Sequence, residues 1–172
     1  MTIANETLAD WNKLDHASAV ASILPCCGSA RWARELVETR PIHTEAELLA
    51  RSDAISRALS PDDWHEAFRS HPRIGEKKTP AATAQSAEWS RGEQGGMVRS
   101  STDIRAALEQ GNQLYEQRFG RIYIVCATGK SAEEMLADLQ RRLHNDVETE
   151  LHEAMEQQRR ITRLRLRKWL DL

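Results

Sequence analysis

The chain has 172 residues, with 24 Lys and Arg against 26 Asp and Glu, a formal net charge of −2. That length suits a single domain whose core needs no disulfides, and 40% hydrophobic with 29% charged residues is a globular balance rather than a disordered one. Near-neutral charge offers no basic field for nucleic acid, no stretch approaches the ~20 apolar residues of a membrane helix, and the first residues lack the basic start and apolar run of a secretory signal.

Apolar periodicity predicts helices over about 6–14, 16–24 and 29–39. Between the last two stand Cys26 and Cys27; with Cys126 far away and no Cys-x-x-Cys spacing, reduced buried thiols of a cytoplasmic protein are expected, not zinc or disulfides. Thr44-x-x-Glu47 has capping-box form and opens a helix carrying Leu48, Leu49, Ile55 and Leu59. Ser60-Pro61-Asp62-Asp63 places a cap, a first-turn proline and two acids at the start of the next. From His71 to about Ser100 the chain is rich in Gly and Pro and poor in large apolar residues, with a short helix expected over about 81–91; a connection this long is more often functional than idle. A helix over about 101–118 carries Ile104, Leu108, Leu114 and Tyr115 and ends at Phe119-Gly120. Only Arg121–Cys126 reads as extended, and a lone strand must find its backbone partners elsewhere. Ser131-x-x-Glu134 and Asn145-x-x-Glu148 open the last two helices. The expectation is an all-α fold, a single compact domain over residues 1–172, with about seven or eight helices and one buried extended segment.

Three places could hold chemistry. His71 follows Trp64 and Phe68 at i, i+4, i+7, so its ring leaves the helix on the apolar face, and Pro72 ends the helix there. The helix end favours the imidazolium form. A helix-terminating His that merely satisfies carbonyls is the plain alternative. Arg165 stands 18 residues after Val147, five full turns, on the line of Val147, Leu151, Ala154 and Ile161; Arg159, Arg160, Arg163 and Arg167 fall on the opposite face. An inward guanidinium needs an anion, either an internal carboxylate or a ligand. Ser90-x-x-Glu93-Gln94 in the long loop is by itself only a common capping pattern. No phosphate-binding glycine loop, nucleophile elbow or metal-ligand spacing is present, so no metal or cofactor site is expected.

In this order these residues resemble one family, the 2-oxo-4-hydroxy-4-carboxy-5-ureidoimidazoline (OHCU) decarboxylases of purine degradation. The pieces are Phe68-x-x-His71-Pro72-x-Ile74-Gly75, Ser90-x-x-Glu93-Gln94, Asn112-x-x-Tyr115-x-x-x-Phe119-Gly120, Arg142-Leu143-x-Asn145 and Arg165-Leu166. Some relatives have Asp after His-Pro where this chain has Arg73. The resemblance implies a cofactor-independent carboxy-lyase that releases CO2 and forms (S)-allantoin, in a homodimer. It implies His71 and Glu93 as catalytic groups, with Glu93 orienting the imidazole and favouring its protonated form. Pro72, Ser90, Gln94 and Arg165 would contact the substrate, as would the main chain of Tyr123, Ile124, Val125, Cys126 and Ala127. The competing reading is a non-catalytic all-α module that binds a small anion or peptide. A metal-dependent hydrolase lacks a ligand set, and a helical adaptor lacks an exposed heptad seam.

Overall fold

The computed structural model describes residues 5–75 and 83–171. Among them nine α-helices follow one another with no strand: α1 (Glu6–Lys13), α2 (His16–Ile23), α3 (Ala30–Glu38), α4 (Glu45–Ala58), α5 (Pro61–Arg69), α6 (Ala84–Glu93), α7 (Thr102–Phe119), α8 (Ala132–Arg142) and α9 (Val147–Trp169). Short 3-10 turns cover Leu24–Cys26 and Gly95–Arg99. The all-α class is as expected; the ninth helix is α6, formed inside the long connection. Residues 76–82 of that connection lie outside the described residues, and with them Pro80 and the first residues of the helix expected from 81.

Polar side chains at the N-termini set most of these boundaries. Asn5, Asp15, Ser29, Thr83 and Ser101 each accept a hydrogen bond from the backbone three residues on. Ser131 and Glu134 form a complete reciprocal box. Two expected boxes close differently. Thr44 accepts from Glu47 N, but the Glu47 carboxylate turns back to His43 N instead of Thr44 N. For α9 the cap is Asp146, which accepts from Thr149 N at 2.9 Å, because the Asn145 amide is drawn instead to the carboxylate of Glu150.

By its internal contacts the chain forms two units, Met1–Ala67 with Arg159–Leu172, and Phe68–Gln158. The core of the first gathers Trp11, Ile23, Trp32, Leu36 and Leu48 with Ile161, Leu166 and Leu170. Its indoles are tied as well as packed: Trp11 Nε1 donates to Ala19 O and Trp32 Nε1 to Ser52 Oγ. In the second unit α7 and α8 pack around Leu108, Tyr115, Phe119, Met135 and Leu139, joined by Tyr123, Val125 and Ala127. Gly120, at φ +69°, ends α7 in the left-handed conformation that glycine adopts without strain. Residues 122–127 are neither helical nor paired in a ladder. They are buried as expected except Ile122 and Cys126, which are half-buried, so of the three cysteines only Cys26 and Cys27 fit the expectation of buried thiols. Leu114 and Val147, both assigned to apolar stripes, are 48% and 63% exposed; Val147 is the first residue of α9.

Candidate active site

In the second unit, three stretches bring polar groups into the interior. The first is the end of α5, where His71 N donates to Phe68 O and closes the last turn, and His71 and Pro72 are both buried. The second is α6. Its buried face consists of Ser86, Ser90 and Glu93, spaced i, i+4, i+7 and at most 9% exposed. A helix normally turns apolar side chains inward, so an inward face of two hydroxyls and a carboxyl is built for polar company. Just beyond it, Gln94 Oε1 accepts from Gly75 N at 2.9 Å, which ties the end of α6 to the strand of chain four residues past His71.

The third stretch is 123–127. Ile124 O accepts from Arg142 Nη1 at 2.7 Å, and Cys126 N donates to Gln157 Oε1 at 2.9 Å. Tyr123 and Val125 differ: they are 2% and 5% exposed, and their main-chain N–H and C=O groups have no hydrogen-bond partner among the described residues. Unpaired buried backbone groups are rare, because each loses its water without replacement.

Arg142 is completely buried and holds this segment from behind. Its Nε and Nη2 donate to Glu150 Oε1 at 2.9 and 2.5 Å, while Tyr115 Oη donates to the same oxygen and Asn145 Nδ2 to Glu150 Oε2. The guanidinium also lies 4.8 Å from the Tyr123 ring centroid. Burial, reinforced by the bond to Glu150, pushes the Tyr115 phenol well above its usual range, so it remains a donor. For Arg142 burial opposes the charge, but the bonds to Glu150 and the surrounding phenols overcome it and hold the charge more firmly than in water.

Adjacent residues of α9 connect the first and third stretches. Gln158 Oε1 lies 2.7 Å from His71 Nε2, and Gln157 takes the Cys126 amide. The structure thus links His71, Gln94 and the 123–127 segment through specific bonds, with Ser90 and Glu93 on the one buried face of α6. Arg165 belongs to the other unit. It is completely buried there, as its place on the α9 stripe predicts, and its Nη1 donates to Pro25 O at 3.3 Å. Burial raises the thiols of Cys26 and Cys27, the latter to about 11; the Arg165 charge partly offsets this at Cys26, and hydrogen bonds with Ser29 N and Thr162 do so first at Cys27.

A cleft of about 750 Å³ opens in the second unit between Arg73, Gly75, Gln94, Met97 and Asn112. It shares Gln94 with the expected site, and its described walls do not include His71, Ser90 or Glu93. Arg73, the departure from some relatives, forms an ion pair with Glu116 at its edge. Among the described residues no three His, Cys, Asp or Glu side chains gather as a metal-binding group, and no helix is long and apolar enough to cross a membrane.

The sequence model of the OHCU decarboxylase family matches residues 12–167. The chain is 34% identical to the 2-oxo-4-hydroxy-4-carboxy-5-ureidoimidazoline decarboxylase of Amia calva, over 83% of this chain and 78% of that protein. It is 26% identical to the Haloferax volcanii protein of the same name, over 93% and 94%. The uric acid degradation bifunctional protein TTL of Arabidopsis thaliana is 33% identical over 83% of this chain, which spans only 44% of that protein. Among solved structures, the crystal structure of OHCU decarboxylase in the presence of (S)-allantoin superposes with a TM-score of 0.75 at 31% identity, over 87% of this chain and 96% of that one. With nearly the whole chain matched, and with the buried polar residues falling on the motifs, this protein belongs to the OHCU decarboxylase family.

Proposed function

We propose that this protein converts 2-oxo-4-hydroxy-4-carboxy-5-ureidoimidazoline to (S)-allantoin and CO2 in the degradation of uric acid, with the whole chain acting as one catalytic domain. The observation that carries the reading is the set of buried polar groups (His71, Ser90, Glu93 and the unpaired main chain of Val125) in a chain matched along its length to this family.

The substrate bears a carboxylate and a hydroxyl on one carbon, next to a C=N bond. As the bond to CO2 breaks, its electron pair moves into the ring and the C=N nitrogen takes up a proton. The resulting enol then loses its hydroxyl proton and gains one on the neighbouring carbon, so the sum is one carboxylate and one proton giving one C–H and CO2. The C=N bond is the electron sink, so pyridoxal or thiamin is not required. His71 moves a proton during this collapse, with Glu93 as its catalytic partner. Ser90, Pro72 and Gln94 shape the pocket, and the Val125 main chain pairs with the ureido and ring amides. Arg165 holds the anionic part of the substrate through a charged, bidentate-capable donor. Protonation from one face gives a single enantiomer. The same reading makes the protein a cytoplasmic homodimer.

The test is to generate the labile substrate in situ from urate and follow (S)-allantoin by circular dichroism. Wild-type protein should speed its appearance and make it enantiomerically pure. His71→Asn should fold normally and lose about 10²- to 10⁴-fold in rate, the range for a general acid–base group. A folded His71→Asn variant with wild-type rate would overturn the assignment of the proton chemistry.

A further inference from the structure

We propose that Gln158 is a positioning residue: its amide oxygen holds the His71 imidazole in one orientation and in the tautomer protonated at Nε2. The inference rests on the reading of His71 as the proton-moving group. His71 Nε2 and Gln158 Oε1 are 2.7 Å apart, and the two residues are 8% and 0% exposed. An amide oxygen has no hydrogen to give, so the ring must donate from Nε2. Nδ1 is then the nitrogen at which the neutral ring accepts a proton. The same oxygen also suits the imidazolium, in which Nε2 keeps its proton, so the contact survives both ends of a proton transfer without rearranging. Had the other tautomer been stable, the ring would present its basic nitrogen to a buried carbonyl, which is repulsive.

The place of Gln158 in α9 supports the assignment. It follows Ala154 and precedes Ile161 on the stripe that ends at Arg165, and all four are buried. A primary amide at full burial is costly unless it is bonded, and an apolar side chain would fill the position more simply. Its neighbour Gln157 uses the same kind of atom to hold the Cys126 amide, so one turn of α9 fixes both an imidazole and the main chain that flanks it.

The test combines long-range 1H–15N NMR of the imidazoles in the free protein with steady-state kinetics, for wild type, Gln158→Leu and Gln158→Glu. In the wild type, at a pH where the ring is neutral, His71 should show a protonated Nε2 and an unprotonated Nδ1. Gln158→Leu conserves volume but has no acceptor; its His71 nitrogens should shift toward the average of the two tautomers, with kcat down about ten- to a hundredfold, the usual effect of losing a group that orients a working imidazole, and KM within about twofold. Gln158→Glu keeps an acceptor in place and should restore the Nε2-protonated signature and part of kcat, even if its melting temperature is lower. A wild-type ring protonated at Nδ1, or a Gln158→Leu variant with unchanged nitrogen shifts and kcat, would overturn the proposal. If the wild-type protein forms no allantoin, the decarboxylase reading fails, while the nitrogen shifts still decide the tautomer.

Discussion

Arginines along the last turns of α9 share a charge and differ in surroundings. Arg163 and Arg167 keep 45% and 53% of their side chains exposed and pair with Asp53 at 2.5 Å and Glu45 at 2.6 Å. Exposed pairs of this kind are worth about 0–1 kcal/mol, so Arg163→Gln and Arg167→Gln should barely move stability or rate. Arg165, at 0% exposure, should behave otherwise. Arg165→Gln should raise KM strongly, because a neutral amide is a poor replacement for a charged donor in a dry site. Melting temperatures and kinetic constants for the three variants side by side decide this; an Arg165→Gln variant that tracks the other two would remove the binding role. The special position of Arg165 was legible because a charge on an apolar stripe poses a visible problem. Gln158 lies on the same stripe and was not singled out, because a neutral amide raises no alarm in a helical wheel. What marks it is its partner 87 residues away, which only tertiary structure supplies.

Helix α6 and the 3-10 turn after it show what one element requires of its glycines. A Cβ on Gly96 would stand 2.1 Å from Lys130 O and 3.3 Å from Ser131 Cα, both backbone atoms that cannot swing aside. Gly92 and Gly95 would meet nothing within 4 Å. Gly96→Ala should therefore destabilise by about 1–3 kcal/mol, as overpacking does. It should also raise KM, because the displaced turn begins at Gln94, whose side chain holds Gly75. Gly92→Ala, inside α6, should instead stabilise by roughly 0.5–1 kcal/mol through helix propensity. Urea midpoints read both, and a Gly96→Ala variant as stable as wild type would refute the close approach. In sequence the three glycines look alike, since what separates them is the passage of residues 130–131, far along the chain. Helix starts such as Ser131 and Ser101 were legible for the opposite reason: a cap and its acceptor lie within one turn. Asn145 failed as a cap where a nonlocal demand, the Glu150 carboxylate, outbid the local one.

Both units hold carboxylates below their usual range, by different means. In the first, Asp15, Glu47 and Asp63 are lowered mainly by hydrogen bonds at helix starts, from Ser18, His43 and Ser60, each a local bond within one turn of the chain. In the second, Glu153 is lowered first by its bonds from Arg141, and in Asp138 the upward push of burial is overcome by Tyr123, Arg141 and Arg142. A carboxyl whose pKa is depressed on folding stabilises the folded chain above its unfolded value, here 4.5 for Glu153 and 3.8 for Asp138, and that contribution is lost as pH falls through the folded value. These two acids brace Arg141 and the α8–α9 connection, directly beside Arg142, whose hydrogen bond holds Ile124. Acid should thus loosen the second unit before the first. Hydrogen exchange followed by mass spectrometry, corrected for the intrinsic pH dependence of exchange, should show peptides of residues 121–153 losing protection as pH drops below about 4.5, with peptides of α3 and α4 holding longer. Asp138→Asn combined with Glu153→Gln should lower protection at neutral pH and flatten its fall in acid, because the charges that protonation removes are already gone. Parallel loss in both sets of peptides, or an undiminished acid slope in the double variant, would place the acid sensitivity elsewhere.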